Sequence, residues 1–271
     1  MNSRDGESVA TIGVMSVATN LYLDYWKTMV QSAELVTKNE DEVTFFVFTD
    51  NPSEVKNFAK NLKNVKVKAF EIAPFRWPEA TLLRYQIFES QIAELDTDIL
   101  MHLDADMLIS RNPWSRIKLR LAKENVCLVS HPGFWRPTGA RRLALYIRNP
   151  LLGYKDLRIE IKQGGLGAWE SDPNSKAFVP RKSRREYFCG GTWFGKREAI
   201  NEMMLKLSQG VTDDRERNYI AKWHDESHLN KWATENSHEI DNPELCFDET
   251  YPQVRHLKPS IIAVRKNEKT R

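Results

Sequence analysis

The stretch Ile99-Leu-Met-His-Leu103-Asp104-Ala-Asp106 decides the fold. Its first five residues are an apolar run interrupted only by His102, and the run ends in two carboxylates one residue apart. A short apolar run bounded by polar residues reads as a buried strand. Three segments upstream have the same character: Val9 to Val17, Val43 to Asp50 and Val65 to Ile72. Between the first two, Tyr22, Tyr25, Trp26, Met29, Val30 and Ala33 recur at the spacing of one helix face. After Trp77-Pro78 a further segment is helical, with Pro78 tolerated in its first turn and Leu83, Ile87 and Phe88 on one side. Strands alternating with helices in this way predict an α/β protein, built on a mainly parallel, twisted, Rossmann-like sheet flanked by helices.

Ligands of open α/β sheets bind beyond the carboxyl ends of the strands. Asp104 and Asp106 lie at such an end, and continued extended chain would place both carboxylates on one side. Two hard oxygen ligands there suit Mn²⁺ or Mg²⁺ bridging a nucleotide diphosphate. Spacing alone does not single them out. Asp96-Thr-Asp98 has the same pattern and reads as an exposed turn before the strand.

A second informative stretch is Trp223-His-Asp-Glu-Ser-His-Leu-Asn-Lys-Trp232. Two adjacent carboxylates, Asp225 and Glu226, sit among histidines, a serine and flanking tryptophans. Aromatic rings pack on the apolar face of a pyranose, while carboxylates and imidazoles bond its hydroxyls. A zinc-hydrolase reading of His224 and His228 fails on spacing, because that motif needs glutamate directly after the first histidine and Asp225 stands there. His131 follows the apolar run Val126 to Ser130, so it too emerges at a strand end.

With 271 residues the chain can bury a substantial core in one large domain or two intimate lobes. We divide it into residues 1–106, a Rossmann-like half, and 107–271, a loop-rich half whose pattern loosens and whose Gly, Pro and Trp content rises from Ser130 onward. The formal charge of +3 is too mild to argue for nucleic acid, and no nucleic-acid-reading motif is present. The basic clusters at Arg181 to Arg185 and Arg265 to Arg271 read as solvated surface. Three cysteines cannot complete a disulfide framework, and Cys127 lies in an apolar run as a buried thiol, which suggests a reducing compartment. No apolar run approaches a membrane span, and the polar N-terminus lacks a signal-peptide core. The expectation is a natively soluble, cytoplasmic chain without a transmembrane segment.

Four segments in order, Phe46-Val-Phe-Thr-Asp50, Leu103-Asp-Ala-Asp106, His131-Pro-Gly-Phe134 and Trp223-His-Asp-Glu-Ser-His-Leu-Asn230, resemble motifs of the glycosyltransferase family that holds the ABO blood-group transferases and the α1,3-galactosyltransferases, glycosyltransferase family 6. The resemblance runs from about Val17 to Lys266. It implies a GT-A fold and metal-dependent, retaining α1,3-transfer of galactose or N-acetylgalactosamine from a UDP-sugar to a β-galactoside or related oligosaccharide. Some bacterial relatives carry asparagines at the aspartate pair and work without metal, so the aspartates here point to metal dependence.

The resemblance also assigns residues. Glu226 would face the anomeric carbon, attacking as a nucleophile or stabilising an oxocarbenium-like state. Asp225 would bond the donor sugar hydroxyls. Arg84, at the end of the segment from Arg76, would reach the aspartate pair and the donor sugar. Val17, Tyr22 and Ala105 belong to the donor side, and Lys266 would contact the diphosphate under a closing C-terminal lid. Cys189, Gly190 and Gly191, in Tyr187-Phe-Cys-Gly-Gly191, align with the segment that chooses between galactose and N-acetylgalactosamine, and small residues there leave room for an acetamido group. His131, Trp223 and Asp248 would face the acceptor.

Two departures keep alternatives open. The segment from Trp135 to Glu170 is longer than its counterpart by roughly two dozen residues, and loops of such length are usually functional or disordered. It holds a helix-like part, Ala140 to Ile147, and a flexible Gly164-Gly-Leu-Gly167, and it leaves the acceptor open. Cys189 leaves another UDP-sugar, such as UDP-glucose, in play. A lectin-like module without turnover is the remaining reading. Such a module is expected to lose Asp104, Asp106 or Glu226, and all three are present.

Overall fold

A computed structural model describes residues 10–75 and 78–264. Arg76, Trp77, Arg265 and Lys266, and with them the expected lid, lie outside the described residues. The four apolar runs of the first hundred residues are strands β1 (Ile12–Val17), β2 (Val43–Thr49), β3 (Val65–Glu71) and β4 (Ile99–Leu103). Between them lie α1 (Tyr22–Val36), α2 (Pro52–Ala59), α3 (Glu79–Leu82) and α4 (Arg84–Glu89). The chain continues through β5 (Met107–Ile109), α5 (Trp114–Arg120), β6 (Val126–Ser130), α6 (Gly139–Arg148) and α7 (Pro150–Gln163). It ends through β7 (Phe188–Lys196), α8 (Arg197–Glu216), α9 (His224–Ala233), β8 (Glu239–Asp241) and β9 (Ile261–Ala263).

Seven strands form the central sheet in the order β3-β2-β1-β4-β7-β6-β8, and β5 pairs with β9 in a small second sheet. Neighbours in the large sheet are parallel except at β7, which runs antiparallel to both β4 and β6. This is the mixed, mainly parallel Rossmann-like architecture expected. The strand order reverses direction at β1, so the crevice of such a sheet falls between the carboxyl ends of β1 and β4.

Both faces of the sheet are buried, so alternate residues of each strand enter different cores. Val14, Phe45 and Met101 pack with α1 residues Trp26, Met29 and Val30 on one side. Met15, Phe46 and Leu100 pack on the other side with Tyr85 of α4, Met203 and Leu207 of α8, and Leu229 of α9. The 20-residue α8 packs against both α4 and α9. That shared platform fixes Arg84, at the start of α4, relative to Asp225 and Glu226 in the first turn of α9.

The long segment departs from its reading in two respects. It carries two helices, α6 and α7, where one short helical part was expected. The Gly164–Gly167 stretch is not a flexible loop. Gly164 ends α7 in the left-handed conformation at φ 78°, a helix terminus that favours glycine. A Cβ on Gly167 would lie 2.4 Å from the Trp169 ring nitrogen and 2.7 Å from Tyr187, so this glycine permits tight packing. No helix among the described residues is long and apolar enough to cross a membrane.

Candidate active site

The site assembles around Arg84, whose side chain is almost fully buried. Its Nη1 donates to Asp104 Oδ1 at 2.9 Å and to the Gly190 carbonyl at 3.3 Å, and it also meets His102 Nε2. Its Nε lies 3.0 Å from Asp225 Oδ2. That contact is an ion pair without hydrogen-bond alignment, because Asp225 Oδ2 is buried and accepts no hydrogen bond. One guanidinium thus joins the end of β4, the glycines of β7 and the first turn of α9.

His102, the one polar residue of the β4 run, is a positioning group. Its Nδ1 is 3.0 Å from the Met15 carbonyl, which can only accept, so Nδ1 carries the proton and Nε2 is left to receive Arg84. Burial, followed by the Arg84 charge, holds its pKa below the usual histidine range. Burial also works against the charge of Arg84, but Asp225 and Asp104 more than offset it and keep the guanidinium protonated.

Beyond β4 the chain turns at Ala105. Burial still alternates: Ala105 and Met107 enter the core, while Asp104 and Asp106 remain partly accessible on the other side. The Asp104 N–H donates to the Gly191 carbonyl at 3.0 Å, and the Asp106 carbonyl accepts from Val264 at 2.8 Å. Both carboxylates therefore sit on fixed backbone at a strand end. The pairing of Met15 with His102 brings the end of β1, Val17, alongside that of β4, and Tyr22 opens α1 just beyond.

Glu226 is held from both ends. Its Oε1 accepts from the Tyr187 hydroxyl at 2.8 Å and its Oε2 from the Gly190 N–H at 2.8 Å. Asn230, one helical turn on, exchanges two hydrogen bonds with the backbone of Phe188, each 2.9 Å long, and also donates to the Glu226 carbonyl. In effect Asn230 extends β7 with an amide side chain and locks α9 to the strand. Tyr85 adds a hydroxyl donated to the Asp225 carbonyl at 3.2 Å.

These groups line one open cleft: Thr81, Arg84, Asp104, Gly190, Gly191, Trp223, His224, Asp225 and Glu226. The two glycines are needed by close approach. A Cβ on Gly190 would stand 3.0 Å from Glu226 Cβ, and one on Gly191 would stand 2.6 Å from Asp104 Oδ2. Cys189 is different, since its thiol is buried in the core and directed to the Thr192 carbonyl. Trp223 is 49% exposed at the rim, where a ring face is accessible.

His131 lies in a neighbouring cluster. Its backbone N–H bonds the Tyr187 carbonyl at 2.8 Å, and its ring sits among Phe134, Tyr187 and Tyr251. Nδ1 accepts from the Gly133 N–H at 3.0 Å, which puts the proton on Nε2. Burial lowers the pKa to about 4, so the ring is a neutral donor at neutral pH. Asp248 caps the turn before Tyr251 by accepting from the Thr250 N–H at 2.9 Å. Tyr187 touches both clusters, through its hydroxyl on Glu226 and its ring on His131.

The cleft has an excess of negative charge. Burial pushes Asp225 up to about 7, with Arg84 pulling the other way. Burial likewise pushes Glu226 up to about 7, against the opposing hydrogen bonds from Gly190 and Tyr187. Asp104 adds to both. A cation fits this balance. Among the described residues no group of three or more metal-ligating side chains occurs, so any ion at Asp104 and Asp106 would draw its remaining oxygens from a ligand and water, as Mg²⁺-type sites at diphosphates do.

Sequence reading placed Arg84, Asp104, Gly190, Gly191, Trp223, Asp225 and Glu226, and the structure brings all seven to one cleft. It overlooked His102, Tyr85, Tyr187 and Asn230. Only His102 left a signal, as a polar residue inside a buried strand.

A raised carboxyl pKa has a thermodynamic consequence. The folded state holds the Glu226 proton more tightly than the unfolded chain, so ionising it lowers stability as pH rises from about 4.3, the free value, to about 7. Glu226→Gln removes that contribution. The melting temperature of the variant relative to wild type should therefore climb between pH 4 and pH 8, as read by calorimetry. A difference independent of pH would show that Glu226 is not perturbed.

Residues 4–137 and 166–271 match the model of glycosyltransferase family 6. The chain is 26% identical over 268 residues to histo-blood group ABO system transferase 1 of Rattus norvegicus, covering 95% of this chain and 67% of that protein. It is 26% identical over 267 residues to globoside alpha-1,3-N-acetylgalactosaminyltransferase 1 of Mus musculus, with the same coverage of each chain, 95% and 67%. It is 25% identical over 260 residues to the O-antigen biosynthesis glycosyltransferase WbnI of Escherichia coli, covering 95% of both. The matched residues take in β4 with its aspartates, the glycines of β7 and the carboxylates of α9, and the chain belongs to glycosyltransferase family 6.

Proposed function

We propose that this glycosyltransferase is a metal-dependent, retaining α1,3-transferase that moves galactose or N-acetylgalactosamine from UDP to a β-galactoside-type acceptor. One observation carries the reading: the buried Arg84 contacts Asp104 and Asp225 together, so a diphosphate-binding strand end and a sugar-binding helix turn face one cleft. The name of the Mus musculus relative, an alpha-1,3-N-acetylgalactosaminyltransferase, supports the N-acetylgalactosamine option and the linkage.

The residues divide the work. Asp225, held in the cleft lining by its ion pair with Arg84, offers its carboxylate to a sugar hydroxyl. Glu226, fixed by Tyr187 and Gly190, offers a carboxylate to positive character at the anomeric carbon. His131 Nε2–H, with the Phe134 and Tyr251 rings beside it, suits an acceptor hydroxyl and pyranose face. A divalent cation held by Asp104 and Asp106 would neutralise the charge that grows on the departing diphosphate. Donor choice falls to Gly190 and Gly191, because Cys189 points into the core.

The direct experiment screens UDP-sugars for Mn²⁺-stimulated hydrolysis, then repeats with a panel of β-galactosides. UDP-galactose or UDP-N-acetylgalactosamine should be turned over, and exclusive use of UDP-glucose would overturn the donor assignment. EDTA should suppress turnover and Mn²⁺ restore it. Asp106→Asn, which leaves the Arg84 ion pairs in place, should behave like the chelated enzyme. Full activity in EDTA would refute the metal.

Glu226→Gln should lower kcat by roughly 10² or more with donor affinity nearly intact, the pattern of an interaction made mainly in the transition state. A variant that changes only acceptor KM would move Glu226 to binding.

Gly191→Ala tests the donor pocket. Its methyl would collide with Asp104 Oδ2 at 2.6 Å, so the carboxylate must move. A methyl in a packed site discriminates by about 1–3 kcal/mol. The ratio of UDP-galactose to UDP-N-acetylgalactosamine turnover should rise, and the Mn²⁺ concentration for half-maximal rate should rise with it. An unchanged ratio would place donor selection elsewhere.

A further inference from the structure

The hairpin of α6 and α7 falls in the gap between the two stretches that match the family, so it is an addition to the shared fold. None of its side chains joins a hydrophobic core, and Asp156 is its one buried residue. Six of its large apolar side chains face outward instead: Leu143 and Ile147 on α6, and Leu151, Tyr154, Leu157 and Ile161 on α7. Ile147 is 73% exposed, Leu151 83% and Ile161 68%. So many large aliphatic groups in water on one 25-residue element mark an interaction surface.

Charge decides what covers it. Residues 139–165 carry six basic side chains and two acids, and one of those acids, Asp156, is spent inside. On α7, Lys155, Arg158 and Lys162 recur at i, i+3 and i+7 beside the apolar stripe, with Arg158 lying 5.8 Å from the centre of the Tyr154 ring. An apolar stripe edged by lysine and arginine is the pattern of a helix lying in a lipid interface. A second copy would bring the same basic edges together and repel. A nucleic acid would leave the aliphatic ridge unsatisfied.

The hairpin is also firmly mounted. Arg136 grips Asp156 through two hydrogen bonds of 2.5 and 2.6 Å, and the Tyr146 hydroxyl adds a third at 2.8 Å. Arg181 and Arg184 bond the carbonyls of Ile161 and Gln163 at the far end of α7. Arg136 also bonds the Gly133 carbonyl, two residues from His131. Polar ties hold the element in place, so its apolar face is not needed for folding.

We infer that the α6–α7 hairpin docks the protein on an anionic lipid surface, with the exposed aliphatic side chains entering the interface and the basic edges pairing with lipid headgroups. The docking itself does not depend on the proposed reaction. If His131 receives the acceptor, a point that rests on that reading, docking sets the acceptor side close to the bilayer.

Co-sedimentation of the full chain with vesicles tests this directly. Wild type should bind phosphatidylcholine–phosphatidylglycerol vesicles, release with added salt and ignore phosphatidylcholine alone. Leu151→Glu/Ile161→Glu should weaken binding by about tenfold or more, and so should Lys155→Gln/Arg158→Gln/Lys162→Gln. Both variants should keep the wild-type melting temperature and donor hydrolysis, because the changed residues are exposed. No binding to the anionic vesicles, or survival of binding in either variant, overturns the inference. A concentration-dependent dimer that Leu151→Glu/Ile161→Glu dissociates, without vesicle binding, overturns it in favour of self-association.

Discussion

The buried guanidinium of Arg84 is the constraint on which the site depends. It pairs with both Asp104 and Asp225, and the Arg84 and Asp225 side chains are each 6% exposed. Removing one partner of such a buried pair leaves an uncompensated charge, at a cost of about 3–5 kcal/mol. Arg84 is therefore as much a part of the fold as of the site. Its placement needs α4 seated on the sheet, α8 behind it and His102 aimed at it from β4. A neutral His102 is what makes the arrangement possible. An imidazolium at the same place would set two cations against each other in a buried space.

The antiparallel course of β7 does the rest. Because Leu103 pairs with Thr192, the residues before Thr192 run past the end of β4. That brings Gly191 against Asp104 and Gly190 against Glu226, where any side chain would fill the cleft. A parallel strand in this position would present its other end and leave Asp104 without the Gly191 carbonyl. Tyr187 stands immediately before the same strand, so a single segment supports both the carboxylate of α9 and the ring of His131. The Glu226 and His131 clusters are thus coupled through one tyrosine, whose burial and proximity to Glu226 hold its hydroxyl well above the usual phenol range. It remains a donor throughout the physiological range.

Much of this was legible before the structure. The strands Ile99 to Leu103 and Val126 to Ser130 read correctly to the residue, because buried strands bounded by polar residues leave a sharp signal. The helix from Tyr22 was equally clear, since its face holds Trp26, Met29 and Val30 at helical spacing. The roles of Tyr187 and Asn230 were not legible. Both act on Glu226 through contacts set by the packing of β7 against α9, and nothing in local sequence encodes that packing. The glycines at 164 to 167 misled for a related reason. Glycine permits flexibility and close packing alike, and only the positions of Trp169 and Tyr187 show which of the two applies. Cys189 shows the limit of alignment to a motif, which assigns a position to the pocket but not the direction of its side chain.

The two sides of the site are built by different means. The Arg84 cleft is clamped by groups mounted on the sheet and α8, with Arg84 and Asp225 buried, so Arg84, Asp104, Asp225 and Glu226 keep their geometry whatever is attached elsewhere. The His131 cluster rests on loops after β6 and before β9, held by polar contacts such as Gln253 on the Pro132 and Gly133 carbonyls. An inserted hairpin can be mounted there through Arg136 without disturbing the hydrophobic core. Polar mounting costs little packing, and it frees an apolar face that the fold does not use. Variation around the His131 cluster beside a fixed Arg84 cleft is what this division of forces permits.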